Sequence, residues 1–148
     1  MTTLFTRIIA GEIPGRFVWA DDIAVAFATI APISDGHVLV VPRAEVARFT
    51  DATDSLLAHL MVVAKSIGTA QQIAWDAPRA ALVVAGFEVP HLHLHVLPAW
   101  GEDELSFANA RHDVPAEDLD ATAEQLRAAL RDAGHGAHVP ATLSSPAL

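Results

Sequence analysis

His91-Leu92-His93-Leu94-His95-Val96-Leu97 alternates polar and apolar residues with a period of two, the repeat of a β-strand. Such a strand turns three imidazoles to one face and sends Leu92 and Leu94 the other way. The histidines are therefore expected to be presented and the leucines to enter an apolar layer. Side chains two apart on a strand sit roughly 6.5–7 Å apart at their Cα atoms, so the outer pair is about 13 Å apart. One ion cannot easily gather all three, although two neighbours and a ligand from elsewhere can share a zinc at about 2 Å. The row also suits a second chemistry, in which one imidazole is a nucleophile or acid–base group and its neighbours fix its tautomer and ring orientation. A purely structural role fits one histidine better than three in register.

Outward from this stretch the chain reads as alternating short elements. A short helix near 3–10 and a turn at Pro14-Gly15 lead to strands near 17–19 and 24–29, joined at Asp21-Asp22 as a hairpin. A third strand, His37 to Val41, ends at Pro42. Asp54 or Thr53 then caps a long helix to about Ala74, with an apolar stripe of Leu56, Leu60, Val63 and Ile67. Strands near 81–84 and 91–97 come next. The expected architecture is α+β, a largely antiparallel sheet flanked by a long helix and shorter helices. Ala99 to Glu104 is an acidic loop. Pro115, with Glu117 and Asp118 behind it, opens a last helix to about Asp132, which Gly134 stops. The domain is expected to span 1–133, with 134–148 a tail carrying solvated His135 and His138. His59 and His112 are read as solvated too, and Trp100 as a half-buried aromatic at an interface, at the substrate opening or within the framework.

The 148 residues suit one domain, and 52% hydrophobic content is ample for a core. The absence of cysteine excludes disulfides, thiol nucleophiles and thiolate ligands. A formal net charge of −9 with no basic stripe argues against a nucleic-acid polymer as partner, while leaving room for one nucleotide phosphate among local donors. No run approaches the length of a membrane span, and the first residues lack the basic-then-apolar layout of a signal peptide. The expected location is cytoplasmic.

The stretch from His91 to Leu97 resembles the histidine triad, or HIT, motif, His-φ-His-φ-His-φ-φ with φ apolar. The likeness extends over about residues 3–100. Thr3-Leu4-Phe5-Thr6-Arg7-Ile8-Ile9-Ala10-Gly11-Glu12-Ile13-Pro14 is similar to the family's opening helix and turn, and Asp21-Asp22, Ala26-Phe27 and Pro32 match in the same way. Gly36-His37-Val38-Leu39-Val40-Val41-Pro42-Arg43 looks like its Gly-His-φ-φ-φ-φ-Pro-Lys/Arg strand. The resemblance implies a HIT-like fold and chemistry at the α-phosphate of nucleoside phosphoramidates, dinucleoside polyphosphates or related conjugates. It makes His93 the nucleophile of a nucleotidyl-histidine intermediate, and His91, His95 and His37 its helpers on the phosphate and the ring. Phe5, Ile8, Phe27 and Ile30 would hold a purine base, Thr29 the ribose, and Gly86, Phe87 and Glu88 the phosphates. No cofactor is implied, and a homodimer is.

The departures from the family pattern fall at meaningful positions. Thr3 and Thr6 stand where many bacterial relatives have the Cys-x-x-Cys of a structural zinc site, so that zinc site is expected to be absent. The asparagine usual before the triad has no counterpart in Ala81 to Gly86. Phe87 replaces an amide of the family's Gly-Gln-Ser or Gly-Gln-Glu, and Thr29 replaces the ribose-binding aspartate, losing charge and bidentate geometry. Two other readings remain beside the enzyme: a noncatalytic nucleotide-binding protein, and a metal-dependent hydrolase using the histidine row as ligands.

Overall fold

Asp21 makes the first hairpin. Its carboxylate accepts the backbone N–H groups of Ile23 and Ala24, folding strand β1 (Phe17–Ala20) back against β2 (Ala24–Ala28). The computed structural model describes residues 2–147. Helix α1 (Leu4–Ile9) precedes the hairpin, with the Thr3 hydroxyl accepting the Thr6 N–H as an N-cap. After β3 (Val38–Pro42) comes α2 (Asp54–Ala74), capped by Thr53. Strands β4 (Arg79–Val83) and β5 (Leu94–Ala99) and helix α3 (Ala116–Leu130) complete the fold. The sheet runs β1-β2-β3-β5-β4 with every neighbouring pair antiparallel. This is the expected α+β class.

Alternation along the strands divides the core in two. Val18, Ala24, Ala26, Val38, Val40, Leu94 and Val96 face α2 and α3, packing on Leu60, Val63, Ile67, Leu126 and Leu130. Phe17, Val25, Phe27, Leu39 and Val41 face the other way, under Phe5 and Ile8 of α1. Full burial of each such side chain contributes about 1.5–3 kcal/mol, so either face exceeds any single surface ion pair. Phe27 stands opposite Leu39, and Leu39 opposite His95, so His95 lies on the α1 face.

Two expectations are corrected. The regular strand begins at Leu94, and His91 and His93 precede it. In the β3–β5 register Pro42 would stand opposite Leu92, and it has no N–H to continue the ladder. Leu92 instead donates its N–H to the Val46 carbonyl, and its side chain still enters the α2 face of the core.

Residues 135–143 pack back onto the sheet, contrary to the expectation of a separate tail. Gly134 turns the chain with φ +94°, Val139 is 6% exposed, and the Leu143 carbonyl accepts the Phe17 N–H. His138 stacks on Trp19 with ring centroids 4.6 Å apart, and His135 lies tilted at 5.5 Å. His59 is not free either: its Nε2 lies 2.9 Å from Asp21 Oδ2, which also accepts the Trp19 indole N–H. Burial would raise the Asp21 carboxyl, but donors from Trp19, Ile23, Ala24 and His59 outweigh it and bring the pKa to about 2. Trp100 is half exposed just beyond β5. Among the described residues no helix is long and apolar enough to cross a membrane.

Candidate active site

A cavity of about 340 Å³ opens on the α1 face of the sheet. His37 enters it from the loop before β3, His95 from β5, and His93 from the extended segment leading into β5. Two backbone constraints set the first of these. Gly36 has φ +86°, and a Cβ there would lie 2.5 Å from the Trp75 ring, so only glycine fits before His37. The buried Gln71 amide then donates to both the Gly36 and Val96 carbonyls at 2.9 Å, tying the strands that carry His37 and His95 to α2.

Partners that can only accept or only donate fix the protons. His93 Nδ1 lies 2.7 Å from the His91 carbonyl, which can only accept, so Nδ1 carries the hydrogen and Nε2 the free lone pair. The Ile33 N–H donates to His37 Nδ1 at 3.1 Å, which places the hydrogen of neutral His37 on Nε2. That nitrogen donates to His95 Nδ1 at 3.0 Å, leaving His95 an Nε2–H donor. The rings of His93 and His95 are 4.9 Å apart. One cavity thus holds a bare imidazole nitrogen beside an imidazole N–H.

The rings are neutral for the same reason that they are ordered. Burial, reinforced by the charge of His95, lowers His37 to about 3; burial and the charge of His93 lower His95 to about 4. Burial also lowers His93, opposed by the His91 carbonyl. The unfolded chain takes up protons at His37 and His95 near the ordinary 6.5, so acid favours unfolding from pH 6.5 down to about 3–4. The slope is at most about 1.4 kcal/mol per pH unit for each histidine. Asp21 acts lower, between 3.8 and about 2. Urea midpoints are expected to be level above pH 6.5 and to fall steadily to pH 4.5; a flat profile across that interval would contradict neutral burial.

Phe5, Thr29, Gly86, Phe87 and Glu88 line the same cavity. Gly86 takes φ +85°, and Phe87 is 98% exposed at the rim. Four other sequence candidates stand elsewhere. His91 is fully buried beneath the site with both ring nitrogens engaged, so it touches no phosphate position. Ile8 packs in the α1 core, where Phe27 lies behind Phe5 at 5.5 Å between ring centroids. Ile30 is 74% exposed and outside the cavity wall. Conversely Phe107, 4.8 Å from the His95 ring, and His112 line the cavity although no motif marks either of them. They come from a loop with no periodicity, held by Arg111 on the Pro32 carbonyl and Asp35, and its one signal is an aromatic residue in an otherwise polar stretch.

At the position of the family's structural zinc, Thr3 and Thr6 offer hydroxyls bound to His91 and Glu45 instead of thiolates, a set that does not fit that ion. Among the described residues no group of three or more His, Cys, Asp or Glu side chains is gathered to hold a metal.

The HIT domain family model matches residues 10–101. The purine nucleoside phosphoramidase of Escherichia coli K12 is 33% identical over 101 residues, covering 64% of this chain and 85% of that protein. The nitrilase and fragile histidine triad fusion protein NitFhit of Caenorhabditis elegans is 35% identical over 109 residues; they make up 68% of this chain and only 25% of that longer protein. A zinc-bound histidine triad family protein from Mycobacterium smegmatis superposes with a TM-score of 0.78 at 26% identity, over 92% of this chain and 98% of its own. The motif and the five-stranded antiparallel sheet agree with these matches, and the chain belongs to the HIT domain family.

Proposed function

We propose that the protein hydrolyses or transfers at the α-phosphate of nucleoside phosphoramidates or dinucleoside polyphosphates, through a nucleotidyl intermediate on His93. The observation that carries this reading is the His93 ring. Its Nδ1–H is pinned to a carbonyl, which leaves Nε2 unprotonated on a side chain that lines the cavity. The name of the phosphoramidase relative supports the substrate class.

In this mechanism the Nε2 lone pair attacks phosphorus. The bond to the amine or phosphate leaving group breaks, and its electron pair departs with that group, an amine taking up a proton from solvent as it leaves. The ring becomes cationic, and the His91 carbonyl on Nδ1–H stabilises it. Water then attacks phosphorus and releases a proton to solvent, and the P–N bond returns its pair to Nε2. The His95 Nε2–H, oriented through His37, donates to a phosphate oxygen in both steps. Phe5 forms an apolar wall for the purine base, Thr29 donates to the ribose, and the Gly86–Glu88 backbone borders the phosphates.

Incubation with adenosine 5′-phosphoramidate, with product separated by chromatography, is expected to release AMP with and without chelator. AMP binding without release, from this substrate and from a diadenosine polyphosphate panel, would make it a binding protein. Release that EDTA abolishes would favour the metal-dependent reading.

We also propose a homodimer. Val62 and Ile73, 63% and 71% exposed, are eleven residues apart on α2 and so lie within about 20° of one another around the helix. Light scattering after size exclusion is expected to give twice the chain mass; a monomer at assay concentration would sink the proposal.

A further inference from the structure

The buried side of the triad carries its own hydrogen-bonded chain. His91 Nε2 lies 2.7 Å from the Pro42 carbonyl, which only accepts, so the ring hydrogen sits there and Nδ1 is an acceptor. The group within reach of Nδ1 is the Thr3 hydroxyl, at 2.6 Å. Thr3 Oγ1 is in turn 3.2 Å from Thr6 Oγ1, and Thr6 donates its own hydrogen to Glu45 Oε1 at 2.6 Å. Glu45 Oε1 also accepts the Thr3 N–H at 2.9 Å. Both hydroxyl hydrogens are thereby assigned, Thr6's to a carboxylate and Thr3's to an imidazole nitrogen, so the Thr6 N–H donating to Thr3 Oγ1 and the Thr3 N–H donating to Glu45 carry the chain between them. A hydrogen added at His91 Nδ1 would turn the Thr3 hydroxyl toward Thr6, making an unbroken row of donors that ends on the Glu45 carboxylate.

This chain joins three pieces that the sheet does not. Glu45 lies in the loop after β3, Thr3 and Thr6 at the start of α1, and His91 at the entrance to β5. Helix α1 also presents Phe5 edge-on to the His91 and His93 rings, with centroids 5.8 and 4.9 Å away. The carbonyl of His91 holds His93 Nδ1–H. A displacement at Thr6 or Glu45 therefore reaches the attacking ring by two routes, through the His91 backbone and through the Phe5 wall.

We propose that Glu45, Thr6 and Thr3 are positioning residues that fix the placement of the His91 ring, whose tautomer the Pro42 carbonyl sets, and, through the His91 carbonyl, orient the His93 ring for attack. The catalytic consequence rests on the proposed nucleotidyl chemistry at His93; the placement of His91 does not. None of the three touches the cavity, so their effect falls on turnover and not on substrate binding.

Thr6→Val and Glu45→Ala both spare the Thr3 cap of α1. Each is expected to lower kcat about tenfold, the scale of a small misplacement of reacting groups, and to leave KM within about twofold. The double variant is expected to match the singles, and Thr6→Ser to restore kcat. Imidazole nitrogen NMR of the full chain is expected to show His91 as the Nε2–H tautomer in the wild type and in both variants, with the Nδ1 signal displaced in the variants as the Thr3 hydroxyl moves. Wild-type signals in the variants would overturn the proposal even if kcat fell, since the loss would then be a packing effect. Additive losses in the double variant, or a failure of Thr6→Ser to rescue, would overturn it as well. If the wild type turns over no nucleotide, the function fails, and the NMR comparison still decides the hydrogen-bonded chain.

Discussion

His93→Ala is expected to abolish AMP release, lowering turnover by about four orders of magnitude or more, because the lone pair that forms the intermediate is lost with the ring. The wild-type ring has its hydrogen committed to the His91 carbonyl at 2.7 Å, so its other nitrogen needs no base to expose a lone pair. His95 cannot substitute: its Nδ1 is occupied by His37, and its remaining nitrogen bears hydrogen. AMP affinity should fall much less, since Phe5, Thr29 and the Gly86 segment remain in place. Parallel chromatography of product and calorimetry of AMP binding separate the two effects. Turnover within tenfold of wild type would rule out covalent catalysis at this residue. Denaturing the wild type during reaction with labelled substrate should trap an acid-labile nucleotide on the chain, and the variant should trap none.

The largest effect on stability is expected at Arg127. This arginine is 1% exposed in α3, and its guanidinium donates to the Phe17 carbonyl at 2.6 Å and to the Pro140 carbonyl at 2.7 Å. Glu124, half exposed, lies 3.3 Å from Nε and supplies the balancing charge. Arg127→Ala removes a large buried side chain and leaves two carbonyls without donors, a loss of about 3–5 kcal/mol. Arg127→Met refills the volume but not the bonds, so a smaller loss, about 1–3 kcal/mol, is expected. Urea unfolding measures both, and a loss below about 1 kcal/mol for the alanine variant would refute the assignment. Because Pro140 belongs to the returning C-terminal segment, limited proteolysis should also cut Arg127→Ala first after Gly136.

The elements governed by short periods are legible in the chain. The hairpin at Asp21, the stripe of α2 and the alternating strands all announce themselves through spacing, and each appears within a few residues of its expected bounds. Alternation also suggests three equivalent histidines, which they are not. The reason lies one strand away: Pro42 ends the ladder, and its carbonyl is satisfied by the His91 ring. A local pattern cannot report what the neighbouring strand lacks.

The packing of the C-terminal segment is invisible in the sequence for a related reason. α3 ends at Leu130 and Gly134 turns the chain beyond it, but the Arg127 guanidinium donating to the Pro140 carbonyl and the aromatic face of Trp19, distant in sequence, hold the residues that follow. The Phe107 and His112 wall depends likewise on Arg111 reaching Pro32 and Asp35. The Trp19 and Arg111 contacts join residues far apart in the chain, beyond the reach of any window along it.

Gln71 has a mechanical consequence. It lies on the buried side of the helix whose outer face carries Val62 and Ile73, and its amide grips the carbonyls of Gly36 and Val96. Sliding that helix along its axis must either carry both residues with it or break two interior hydrogen bonds. The neighbours of those residues, His37 and His95, therefore share one rigid lever with whatever rests on the outer surface, and a load applied there moves the two together.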